Sequence, residues 1–147
     1  MALRPDRKVI HDDINFKVAQ VAEKGVVLVY DTANAGFLKI DQEPLADASL
    51  QNVAGMLMID VVNKDFGAVP ENHNKLETGL SGVVRVLKVG EITTNQVDAA
   101  ADFGGAGSGV YLGRDGKITS VASGTRIGTT LGATDTDGYV KVFLNIV

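Results

Sequence analysis

Gly109-Val110-Tyr111-Leu112-Gly113-Arg114-Asp115-Gly116-Lys117-Ile118-Thr119, followed by Asp137-Gly138-Tyr139-Val140-Lys141-Val142-Phe143-Leu144-Asn145-Ile146, is the part of the chain that decides the fold. Asp115-Gly116 is a residue pair that tolerates positive φ at both central positions of a type I′ turn, and β-formers flank it on each side. A two-residue hairpin would set Arg114 opposite Lys117, Leu112 opposite Thr119 and Val110 opposite Val121. Asp137-Gly138 repeats the turn signal. After it, Val140, Val142, Leu144 and Ile146 alternate with Tyr139, Lys141, Phe143 and Asn145, the period of a half-buried strand.

The remaining strands follow outward from this segment. Val26-Val27-Leu28-Val29-Tyr30 is a continuous apolar run, too short for a helix, and reads as a buried strand. Phe37–Ile40, Val53–Val62 and Gly82–Val89 read as further strands, with Gly55 placed for a bulge or close approach and Gly90 following the last of them. Residues 41–52 read as a loop with one short helical turn near 45–50, 63–78 as the longest loop, and 97–101 as strand or helical turn. About eight to ten strands at this spacing predict an all-β domain, a small barrel or sandwich with hairpins.

Composition agrees. A chain of 147 residues, 45% hydrophobic and 22% charged, is long enough for one domain with its own core and is not composed like a disordered chain. Seventeen glycines without a collagen period indicate many turns. The expected division is an extended N-terminal arm over 1–22 and one β-rich domain over 23–147. Arg4, Arg7 and Lys8 surround Pro5 with nothing apolar and periodic beside them, while Ile14, Phe16 and Val18 alternate, with Phe16 as the anchor.

A formal net charge of −4 leaves no electrostatic case for direct nucleic-acid binding. The chain has no cysteine, hence no disulfide framework or thiolate metal site. No apolar run of membrane-spanning length and no basic-then-apolar leader is present, so the expectation is a soluble protein with no membrane partner.

The motifs that suggest chemistry read as turns. Gly104–Gly109 lacks the Lys-Ser/Thr of a phosphate loop and leads into a strand, not a helix. His11, Asp12 and Asp13 are consecutive, so on an extended chain only His11 and Asp13 share a side. Asp135-Thr136-Asp137-Gly138 lacks the other ligands of a calcium loop. Gly107-Ser108-Gly109 has the wrong spacing for a nucleophile elbow. The reading is therefore no enzyme and no cofactor.

The succession Gly109–Leu112, Asp115–Ile118, Ile127-Gly128-Thr129-Thr130-Leu131 and Asp137–Asn145, with Glu23–Leu28 and Val53–Leu57 before it, resembles the capsid decoration, or cement, proteins of tailed bacteriophages. The resemblance spans about Glu23 to Val147 and is one of turns and strands. It implies a β-rich, often trimeric body on the outer surface of the virion, made in the host cytoplasm, that clamps the major capsid protein, with an N-terminal arm reaching over the shell. On that basis the candidate capsid or subunit interface is Arg4, Arg7, Lys8, Ile14, Phe16, Tyr139 and Phe143. Tyr139 and Phe143 meet either another subunit or a second sheet of the same chain. The competing expectation is a β-sandwich that binds glycans or another ligand, with only Tyr30, Tyr111 and Tyr139, and no Trp, to stack on a sugar.

Overall fold

A computed structural model describes residues 8–40, 52–63, 77–99, 101–122 and 125–146. The expected helical turn near 45–50, most of the long loop over 63–78, and Arg4 and Arg7 lie outside the described residues. Within them the protein is all-β, with no α-helix. The strands are β1 (Lys8–Asp13), β2 (Lys17–Val18), β3 (Val27–Tyr30), β4 (Phe37–Lys39), β5 (Val53–Leu57), β6 (Asp60–Val62), β7 (Glu77–Gly79), β8 (Gly82–Val83), β9 (Val86–Thr94), β10 (Gly109–Leu112), β11 (Ile118–Thr119), β12 (Arg126–Thr130) and β13 (Val140–Asn145).

Eleven of these form one mixed sheet in the order β11-β10-β12-β13-β9-β5-β3-β4-β2-β8, with β1 also on β9; β6 and β7 make a small parallel pair. The described residues form no closed barrel. The β11 end of the sheet is held by Ile118, which donates to Gln96 O at 3.0 Å and accepts from Asp98 N at 2.9 Å.

β9 organises the sheet. Both β5, at Val86 and Leu87, and β13, at Val89 to Thr94, pair with it, while β1 pairs with it from Val86 to Glu91. The described part of the expected arm is thus hydrogen-bonded to the body: β1 lies on β9, and β2 pairs with β4 and β8.

The sheet separates two apolar clusters. One contains Val27, Val29, Val53, Met56, Leu87, Ile92, Val110, Leu112, Ile118, Ile127, Val140, Val142 and Leu144. The other contains Val18, Val26, Leu28, Leu38, Ala54, Leu57, Val61, Val84 and Val86. Successive residues of β3 enter opposite clusters, which is why its sequence is an unbroken apolar run and not an alternation. β13 faces only the first cluster and therefore alternates. Val140, Val142 and Leu144 are almost fully buried, each contributing about 1.5–3 kcal/mol of apolar burial.

Three expectations need correction. The Asp115-Gly116 turn forms with positive φ at both residues, 58° and 74°, and Lys117 N donates to Arg114 O at 3.1 Å. However, Gly113 N also donates to Lys117 O at 2.7 Å, so two residues oppose one and the register moves by one. Tyr111 then faces Thr119, and Leu112 faces Ile118.

The stretch Val53–Val62 is two strands. Met58 N donates to Arg85 O, and beyond it β6 turns away to β7 and to an antiparallel bridge between Val61 and Ala22. Gly55 does adjoin a bulge, as its sequence position suggested: Leu28 pairs with Gly55 and Val29 with Val53.

The stretch Gly82–Val89 is also divided. Val84 N donates to Phe16 O, after which β9 begins at Val86 and continues through Gly90 to Thr94, with the β1 register shifting opposite Gly90 and Val89. Gly90 lies inside the strand. It is the one residue that fits there, because at φ +154° a Cβ would stand 2.1 Å from Lys8 O.

Candidate interaction surfaces

Residues directly opposite in a sheet share a face, and pairing therefore places Thr129, Phe143, Glu91 and Lys8 in one row across β12, β13, β9 and β1. Phe143 is half-buried, on the side of β13 away from the first cluster. Lys141 precedes it by two residues. The Arg126 guanidinium lies over the same face, with Nη2 at 3.4 Å from Thr129 Oγ1. Leu131 is 41% exposed, and its N–H donates to Lys141 O. The face thus has an apolar centre of Phe143 and Leu131 with Lys8, Arg126 and Lys141 around it against one acid, Glu91.

Tyr139 stands at the entrance to β13. Asp135 fixes it: Asp135 N donates to Tyr139 O at 2.8 Å, and Asp135 Oδ1 accepts from Tyr139 N at 2.9 Å and Asp137 N at 3.0 Å. Gly138 alone of this turn takes positive φ, 83°, and donates to Asp135 O. The second Asp-Gly pair is thus a three-residue hairpin loop with glycine in the left-handed position, a different turn from the first.

The other expected residues separate. Lys8 is exposed at the start of β1, and Ile14 is 61% exposed. Phe16 packs on the second cluster and meets the Tyr30 ring edge-on, centroids 5.2 Å apart. It anchors the chain here and is half-buried. Sequence reading missed Ile10, Val21, Leu80 and Val83, exposed by 42–60%. Five of the seven large apolar side chains that are exposed among the described residues, these four and Ile14, lie on or beside β1, β2 and β8. β2–β8 pairing places Val83 opposite Lys17, and Ser81 N donates to Val18 O, which brings the Leu80–Val83 turn to β2. Short separated segments conceal this surface in the sequence; Ile10 between Val9 and His11 is the only local sign.

The polar motifs are engaged structurally. The Asp12 carboxylate accepts from Arg85 Nε, and Asp13 Oδ1 accepts from Asn15 N at 2.9 Å. Among the described residues no three or more His, Cys, Asp or Glu side chains are grouped to hold a metal ion. The glycine loop closes on Thr130, whose hydroxyl donates to Gly105 O at 2.6 Å and accepts from Ser108 N at 3.0 Å. Asp31, on the surface, has its carboxyl held below the usual range, first by the Asn34 side-chain amide and then by the Ala33 N–H.

Two open recesses have distinct linings. One, about 380 Å³, is bordered by Tyr30, Asn52, Arg126 and Asn145. The other, about 430 Å³, has Val97 and Ala101 beside Asp98, Asp102, Thr134 and Gly138. Comparison with family models, curated proteins and solved structures gave no match to any of them.

Proposed function

We propose that the protein is a structural decoration protein that binds the outer surface of a phage head and stabilises the lattice of the major capsid protein, acting as a homotrimer without chemistry. The observation that carries this reading is the exposed apolar set Ile10, Ile14, Val21, Leu80 and Val83, on the segment expected to reach the shell and the strand paired with it. Large apolar side chains left exposed on such segments are what a protein partner can cover. The same segment is tied into the sheet by β1 and β2, so it offers the shell a preformed surface.

Stabilisation follows from mass action. A protein that binds only the assembled, expanded lattice favours that state by RT ln(1 + [L]/Kd), about 2.7 kcal/mol at a hundredfold excess over Kd. Joining three weak contacts in one trimer raises occupancy through effective concentration.

Co-sedimentation of the purified protein with expanded heads tests the reading. Ile14→Asp together with Val83→Asp is expected to lower occupancy more than tenfold, and failure of the unaltered protein to bind any capsid lattice would overturn the proposal. The second reading, a glycan- or ligand-binding module, is favoured by the recess of Tyr30, Asn52, Arg126 and Asn145. Saccharide binding lost on Tyr30→Ala or Arg126→Ala, with no capsid binding, would decide for it.

A further inference from the structure

We propose that the recess bordered by Tyr30, Asn52, Arg126 and Asn145 is a binding site for a carboxylated sugar unit, with the Arg126 guanidinium holding the carboxylate. Such a site narrows the ligand-module reading, on which it rests, and does not involve lattice binding. The recess measures about 380 Å³, room for one group of monosaccharide size.

Its walls are held together by Lys88. The Lys88 carbonyl accepts from Ile146 N at 2.9 Å, while the ammonium donates to Ala54 O at 2.8 Å and to the Tyr30 hydroxyl at 2.9 Å. Phe16 meets the Tyr30 ring edge-on, and Tyr30 N donates to Asn52 O at 2.9 Å. Buried Val53, Ile127 and Ile146 supply the apolar part of the lining. A site fixed in this way has little freedom left to lose on binding.

What the recess offers a ligand is donors. Arg126 makes only long contacts, Nε to Gly128 O and Nη2 to Thr129 Oγ1, both at 3.4 Å, and no carboxylate among the described residues pairs with it. Asn52 and Asn145 are exposed, and their side-chain amides have no hydrogen-bond partner among the described residues. The Tyr30 oxygen accepts from Lys88, which leaves its proton to donate. None of the described lining residues is Asp or Glu. A guanidinium fork matches one carboxylate through two parallel hydrogen bonds, and a single cationic side chain in the lining suits a monoanion better than a phosphate dianion. Two neutral amides beside it suit hydroxyls, which both donate and accept, while the Tyr30 ring and the aliphatic lining suit the C–H face of a sugar ring. An apolar acid would leave the amides unanswered, and a neutral sugar the guanidinium.

NMR titration of the full chain with D-glucuronate, D-glucuronamide, D-glucose and inorganic phosphate tests the site. Glucuronate is expected to shift the Arg126 Nε signal and the Asn52 and Asn145 side-chain amide signals with a Kd of about 1–10 mM, at least about tenfold tighter than glucuronamide, its neutral isostere. Arg126→Gln is expected to erase that preference, and Asn145→Ala to weaken acid and amide alike, both with an unchanged β-spectrum by circular dichroism. The comparison of glucuronate with glucuronamide on the unaltered chain needs no variant to fold. No shift at these signals by about 50 mM glucuronate, phosphate bound as tightly as glucuronate, or an Arg126→Gln chain that keeps the preference would each overturn the proposal. Acid and neutral sugars bound equally at the recess would overturn it too, while leaving the ligand-module reading standing.

Discussion

Gly128 on β12 lies directly opposite Leu144 on β13, and a Cβ on Gly128 would stand 2.1 Å from the carbonyl oxygen of Phe143. Backbone cannot withdraw from such a contact without separating the two strands. Gly128→Ala is expected to cost about 1–3 kcal/mol in urea unfolding. Gly132→Ala, where a Cβ meets nothing within 4 Å, serves as the control and is expected to stay within about 0.5 kcal/mol.

Asp115, at φ 58° and ψ 31°, occupies the left-handed region without being glycine. Asp tolerates this conformation, and a β-branched residue does not. Asp115→Val is expected to lower stability by about 1–2 kcal/mol, with Asp115→Asn near neutral, measured by thermal unfolding.

Asp135 ties the β12–β13 loop through Oδ1 to two backbone N–H groups, those of Asp137 and Tyr139. Asp135→Ala removes the one oxygen that accepts from both. The expected loss is about 1–2 kcal/mol, with faster amide hydrogen exchange at Asp137 and Tyr139 as the local readout.

Asp31 has its carboxyl pKa lowered from 3.8, chiefly by the Asn34 amide. A depressed folded-state pKa means that the folded form binds the proton less readily than the unfolded one. The stabilising effect is therefore full above the unfolded value and is lost as pH falls through the lowered folded value. Comparison of the chain with Asp31→Asn across pH 2–7 is expected to show their stabilities converging at the acid end. Asn34→Ala is expected to raise the Asp31 pKa in an NMR titration.

The two-cluster arrangement predicts a shared dependence. Leu28→Ala, in the second cluster, and Leu144→Ala, in the first, are each expected to cost about 2–5 kcal/mol. Because β3 and β5 wall both clusters, each variant is expected to unfold in a single transition by tyrosine fluorescence and circular dichroism alike.

The strands most legible in the sequence were those whose burial is uniform along them. β13 alternates because Val140, Val142 and Leu144 meet one cluster, and β3 is continuous because Val26 and Leu28 meet the other cluster from Val27 and Val29. What escaped depends on distant chain. Gly90 remains inside β9 because Lys8 O occupies the space a side chain would need, and no local pattern reports that approach. The hairpin register moved because Gly113 N found Lys117 O, although the turn residues behaved as their identities suggest. Among the candidate interface residues, Phe143 was marked by its place opposite an apolar stripe. Lys141 and Arg126 joined it only once pairing was known, and the edge-on contact of Phe16 with Tyr30 joins residues 14 positions apart.

β1 and β13 both run antiparallel to β9, and so run parallel to each other, with Lys8 at the level of Glu91 and Asn145 at the level of Val89. A pull on Lys8 and Asn145 directed along the strand axis acts on β1 and β13 in opposite senses. It loads both hydrogen-bond ladders in shear, where the bonds must yield together, and not by unzipping one after another. A molecule strained between these two ends would resist force far better than its equilibrium stability suggests, since rupture is governed by the unfolding barrier and not by the free-energy difference.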